Sequence, residues 1–133
     1  MTTERGYNGW ANYETWAVAL WIGNEAGSHE YWEREQAGEC YRAAVGAEPG
    51  GDRDGWTRDA AHELAGRLKR ELDDEAELPR AVDGTMYADL LNAALGEVDW
   101  HEIATGYVEE LDRAEIEREA GATAEEDVAA ESE

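Results

Sequence analysis

Four side chains in this sequence of 133 residues are strong transition-metal ligands: His29, His62, His101 and Cys40. Zinc ligands usually come in pairs about two to five residues apart. The nearest two here, His29 and Cys40, are eleven positions apart (40 − 29), so no metal centre is expected. Cys40 beside Tyr41 falls on an apolar helical face, which suits a small buried residue better than a nucleophile. Ser28 and His29 are adjacent and therefore point apart on a helix, and no nucleophile elbow or oxyanion site accompanies them. Carboxylate pairs such as Asp73-Asp74 and Glu109-Glu110 have the chemistry to hold Mg²⁺ or Ca²⁺, but the spaced ligands and glycine of an EF-hand loop are missing. The stretch GAEPGGDRDG, residues 46–55, follows no strand, lacks the lysine and is expected to lack the helix N-terminus of a phosphate loop. No catalytic residue and no cofactor is assigned, and the expectation is a non-enzymatic protein. An enzyme using clustered carboxylates with Mg²⁺ is the weakest alternative.

Charge is the dominant feature. The chain carries 33 acidic and 11 basic residues, for a net charge of −22. Such a chain is repelled by phosphate and offers no basic stripe, so direct binding to DNA or RNA is not expected. Two explanations compete. In one, the carboxylates keep a cytosolic protein hydrated in high salt, as in a salt-in halophile; a GC-rich genome also biases toward Arg and Ala. In the other, they imitate a nucleic-acid backbone and occupy a basic groove on a protein partner. One helical turn, about 5.4 Å, comes near the ~7 Å separation of successive phosphates. Glu30, Glu33, Glu63, Glu71, Asp74, Glu102, Glu109 and Glu110 are the candidate members of such a row. Salt separates the two, because the screening length falls to about 3 Å at ~1 M. The single cysteine excludes an internal disulfide and fits a reducing cytoplasm. No charged-then-apolar leader opens the sequence, and no apolar run reaches the ~18 residues of a membrane span.

These side chains need a scaffold, and the pattern is helical throughout. Tyr7–Glu25, YNGWANYETWAVALWIGNE, holds three of the six tryptophans. Gly6 and Asn8-Gly9 are turn residues, Asn12 is a helix cap, and Tyr13, Trp16, Ala17, Leu20 and Trp21 fall at helical spacing. Val18 and Ile22 lie off that face, so this helix is apolar over most of its circumference and is expected at the centre. Gly23-Asn24 stops it. A second helix is expected from about His29 to Val45 after a Ser28 cap, then a loop over Gly46–Gly55. A third runs from about Arg58 to Asp74, capped by Thr57. Residues Asp73–Asp83 read as an acidic loop broken by Pro79. Thr85 starts a fourth helix with Tyr87, Leu90, Leu91, Ala94, Leu95 and Val98 inward. Asp99 and Glu102 form a capping box for a fifth, whose inner face is Trp100, Ile103, Ala104, Tyr107, Val108 and Leu111. No segment alternates with period two. The expected fold is all-α, a compact bundle of four to five helices around the aromatic-rich N-terminal helix. It forms one domain over 1–118, followed by a disordered acidic tail over 119–133, with 113–120 a fraying helix end.

Trp10, Trp16, Trp21, Trp32 and Trp100 have the chemistry of a ligand cage, but their placement on helical faces favours core packing. Tyr7 and Trp10 precede the first helix and are expected to stay partly exposed. With them in mind, Asn8, Trp10, Asn12, Glu14 and Thr15 are candidate contacts for a partner or small ligand.

The segments Tyr7-Asn8-Gly9-Trp10, Asn12-Tyr13-Glu14-Thr15-Trp16 and Leu20-Trp21-Ile22, with Val98-Asp99-Trp100-His101-Glu102-Ile103-Ala104 near the end, resemble a group of small uncharacterised proteins. Those proteins are encoded by phages, plasmids and haloarchaeal mobile elements. The resemblance covers roughly Gly6 to Leu111 and carries no catalytic residue. It implies a mobile-element accessory protein, a setting in which inhibitors of restriction or CRISPR defence are common. The expectation is an acidic protein acting by protein–protein contact, with DNA imitation against a host defence system as its sharpest form. A haloadapted binding module is the alternative.

Overall fold

The computed structural model describes residues 6–121, and among them the fold is all-α as expected. Helix α1 spans Tyr13–Asn24, capped by the Asn12 side chain. Helix α2 is one continuous rod of three runs: Ala26–Ser28, a wider π-helical run His29–Gln36, and Ala37–Ala47. Helix α3 covers Arg53–Lys69 and passes into a π turn at Arg70–Asp74. Helix α4 is short, Glu77–Ala81; α5 is Met86–Gly96; α6 is Trp100–Glu109; and α7 covers residues 113–121. The only β-type pairing among the described residues is the Tyr7–Trp10 bridge.

The centre of the bundle is not α1. Helix α3 packs most extensively on α6 and next on α2, and these three supply all the large fully buried side chains except Thr15: Cys40, Tyr41, Leu64, Leu68, Ile103 and Val108. Their apolar positions recur at three and four, with Ala60, Ala61 and Ala104 letting the backbones approach. Helix α1 lies on the flank and buries only Thr15 and Ile22, while Trp21 stays 74% exposed and Tyr13 54%. Its all-round apolar surface therefore has one face on the core and one toward solvent.

Several boundaries move for identifiable reasons. The expected 46–55 loop shrinks because α2 continues to Ala47 and Asp52 caps α3, its carboxylate accepting from Gly55 N–H at 2.8 Å. Thr57 is thus an interior residue and buried. Helix α4 occupies part of the expected 73–83 loop, with Pro79 in its first turns where its missing N–H is tolerated. On α5 the expected inward residues Tyr87 and Leu90 point out, at 63% and 60% exposure, and Ala88 is the buried one. Helix α7 is docked and not frayed: Ile116 is buried, and Glu117 receives Arg53 through two bonds of 2.8 Å. The expected tail lies mostly outside the described residues.

Candidate functional site

The two sequence motifs meet in space. Asn8 (φ 46°) and Gly9 (φ 89°) form a tight turn of the kind that asparagine and glycine favour. It is closed by Tyr7 N–H to Trp10 O at 2.9 Å and Trp10 N–H to Tyr7 O at 2.7 Å. Tyr7 is exposed and Trp10 half-buried, as expected. Asn12 Oδ1 accepts from the Thr15 amide at 2.9 Å and from Thr15 Oγ1 at 2.7 Å, while its Nδ2 donates to Glu97 O at 2.7 Å. Thr15 Oγ1 in turn accepts the Asp99 amide at 2.8 Å. Asp99 Oδ1 accepts the Glu102 amide at 3.0 Å, and Glu102 Oε1 accepts the Ala11 amide at 3.0 Å.

The capping box is therefore shared. Asp99 caps α6 as expected, but its own amide is taken by Thr15, and the Glu102 carboxylate reaches the N-terminal segment. Asn12 and Thr15 act as structural clasps, with Thr15 fully buried. Glu14 sits half-buried in the first turn of α1, where the helix dipole favours a negative charge. Of the five candidate motif contacts, exposed Asn8 shapes a turn and Trp10 packs partly on the core.

The tryptophans divide. Trp32 and Trp100 are core; Trp10 and Trp56 lean on it. Trp16 joins Tyr7 and Tyr13 in a surface trio with centroids 5.0 Å, 5.2 Å and 5.6 Å apart. Trp21 stands apart from that trio, so the five tryptophans do not close into a cage.

The acidic candidates separate into engaged and open groups. Glu33 Oε2 lies 2.9 Å from His29 Nδ1, Glu63 Oε2 3.1 Å from Arg67 Nε, and Asp74 Oδ1 2.9 Å from Lys69 Nζ. Glu102 holds the Ala11 amide. Glu30, Glu71, Glu109 and Glu110 are exposed, with Glu30 Oε1 at 4.0 Å from Arg34 Nε. Glu63 and Glu71 share a polar groove of about 420 Å³ with Tyr31, Gln36 and Arg67. Glu102 and Glu109 line a different one beside Trp10. Several of the bases are paired within the chain: Arg67 bonds Gln36, Glu39 and Glu63, and Arg53 is held by Glu117.

Among the described residues no group of three or more His, Cys, Asp or Glu is placed to hold a metal ion. Burial pushes the Cys40 thiol up to about 11, which keeps it protonated and unreactive.

What sequence reasoning missed is the outer face of α1 and α5. A groove of about 430 Å³ runs between Val18, Trp21 and Ile22 of α1, Leu72, Leu95 of α5 and Trp100 of α6. The signal was present: a helix apolar all round that is not central must show an apolar face outward. No helix among the described residues is long and apolar enough to cross a membrane.

No curated protein and no solved structure matches the chain. The model of a family of unknown function, DUF7249, matches residues 3–120, so it spans both clasping motifs and every described helix up to Ala120. The chain belongs to the DUF7249 family, a family of unknown function.

Proposed function

We propose that this chain is a non-enzymatic cytoplasmic protein of mobile-element type that acts by contact with a basic protein partner. In its sharpest form it inhibits a DNA-handling restriction or CRISPR component by occupying the groove meant for DNA. The observation that carries this reading is how the charges are spent. Arg53 and Arg67 bond carboxylates of their own chain, as does Lys69, while Glu30, Glu71, Glu109 and Glu110 remain exposed in a chain of net charge −22. The resulting exterior attracts cationic surfaces and repels nucleic acid. The mobile-element setting is supported by the resemblance carried in the Asn12–Trp16 and Val98–Ala104 segments.

The test is DNA cleavage by a purified restriction endonuclease and by a Cas nuclease with increasing amounts of the protein. Inhibition relieved by excess duplex DNA and by salt is the expected result. Binding to such an enzyme that is indifferent to added DNA would overturn charge imitation.

A second reading has its own support. Glu63, Asp74 and Glu102 are tied to partners within the chain, which thins any phosphate-like row. The acidity then serves solvation in high salt. Unfolding followed at ~0.1 M and ~3 M KCl separates the two, since collapse on dilution assigns the carboxylates to solvation.

A further inference from the structure

We propose that the groove between α1, α5 and α6 receives the apolar face of a cationic amphipathic helix belonging to the protein partner; this rests on the protein-binding reading above and names its site. Three observations converge on this occupant. The first is the wall itself. Trp21 forms its lip at 74% exposure, and Val18, Ile22, Leu72, Leu95 and Trp100 line it. A large, rigid side chain left in solvent beside an apolar groove has the character of a binding anchor.

The second is its shape. On α5, Tyr87, Leu91 and Leu95 are four apart and so fall on one helical stripe; Leu95 lines the groove, Leu91 is half-buried and Tyr87 exposed. Eight residues of helix span about 12 Å. An extended apolar track of that length suits two turns of a partner helix better than a small molecule.

The third is charge. Residues 6–33 and 81–112, which build α1, the start of α2, α5 and α6, contain no Lys or Arg, and the one charged residue lining the groove is Glu25. Leu72 comes from a turn that also carries Lys69 and Arg70. Lys69 Nζ, however, is 2.9 Å from Asp74 Oδ1, and Arg70 lines the polar groove beside Tyr31. An apolar track inside an anionic frame selects a helix with lysine or arginine on its flanks. A second copy brings another net charge of −22, and the chain's own residues 122–133 carry acids and no base, so neither complements the frame.

The probe is a fluorescent synthetic Leu/Lys amphipathic helix of about 18 residues, long enough for the track. Its controls are a Leu/Glu helix and a Lys/Ser helix without an apolar face, and binding to the full chain is read by anisotropy. The Leu/Lys helix is expected to bind. Trp21→Ala is expected to weaken it about tenfold, and Tyr87→Ser severalfold. Tyr13→Ser, an exposed site on α1 outside the groove, is expected to leave it unchanged. Unaltered thermal unfolding shows that the variants fold. If Trp21→Ala binds like Tyr13→Ser, or the Leu/Glu helix binds as well, the groove proposal falls. Equal binding of the Lys/Ser and Leu/Lys helices overturns the groove while leaving the basic-partner reading intact. Failure of both cationic helices removes both. A dimer in sedimentation that Trp21→Ala dissolves would put a second copy in the groove and overturn the proposal.

Discussion

The backbone amide of Asp99 donates to Thr15 Oγ1 across 2.8 Å, joining residues 84 positions apart. Thr15 is fully buried, and the same hydroxyl donates to Asn12 Oδ1 at 2.7 Å. One side chain thus links the cap of α1 to the cap of α6. Thr15→Val keeps the volume and removes both bonds, and it is expected to cost about 1–2 kcal/mol of stability. Urea unfolding monitored by circular dichroism checks this. A loss below about 0.5 kcal/mol would show that the clasp contributes little beyond packing.

Glu117 is the acid-sensitive joint of α7. Arg53's bidentate hydrogen bonds hold its carboxyl down to about 2 from an ordinary 4.5, against the opposing effect of burial, and the Tyr41 hydroxyl donates to it at 2.5 Å. A depressed folded-state value means that the stabilisation is complete above 4.5 and is lost as pH falls from 4.5 through 2. Acid also relieves the repulsion within a chain of net charge −22, so the wild type alone does not isolate this term. The stability gap between wild type and Glu117→Gln is therefore expected to close progressively over that pH window. A gap that stays constant down to pH 2 would contradict the assignment. Glu117→Ala also strips the acceptor from the buried Tyr41 hydroxyl and is expected to cost about 1–3 kcal/mol at neutral pH.

Trp21 and Trp32 should respond oppositely to truncation. Trp21 is 74% exposed, so Trp21→Ser is expected to change stability by no more than about 0.5 kcal/mol. Trp32 is buried in the core, and Trp32→Ala should cost about 3–5 kcal/mol. Chemical denaturation of the two variants decides this. A large loss at Trp21 would return α1 to the centre of the bundle.

The contrast between these two tryptophans also marks what the sequence can and cannot say. Helix α6 is legible over its whole length because its apolar residues occupy one stripe behind an evident Asp99 cap; Trp100, Ile103, Ala104, Tyr107 and Val108 are buried, while Leu111, expected on the same face, lies past the helix end at Glu109 and is half-buried. Helix α1 was legible as a helix, with Asn12 as its cap, but not in its orientation. A helix apolar on every side gives periodicity no basis for choosing an inner face. The start of α3 was misplaced because Thr57 and Asp52 are both good caps, and only the carboxylate-to-Gly55 bond distinguishes them. The π runs at His29–Gln36 and Arg70–Asp74 have no local signature. At the candidate site the motif residues were recognisable, but their partners were not. The pairing of Thr15 with Asp99 and of Ala11 with Glu102 spans most of the chain and depends on how α1 docks beside α6.

Tyr107 carries a defect that can be measured. Its side chain is only 6% exposed, and its hydroxyl is buried with no hydrogen-bond partner among the described residues. Burial first, then the nearby charges of Glu33 and Glu110, raises its ionisation above the ordinary tyrosine range, so the phenol stays neutral. A buried hydroxyl that has given up water without finding a protein acceptor costs about 1–3 kcal/mol. Tyr107→Phe removes that oxygen and keeps the ring that packs on the core, so the variant is expected to be more stable than the wild type by about 1 kcal/mol. The urea midpoint should rise without a change in slope, since the surface exposed on unfolding is nearly the same. A midpoint that falls instead would show that the hydroxyl is hydrogen-bonded in the folded protein and overturn the assignment.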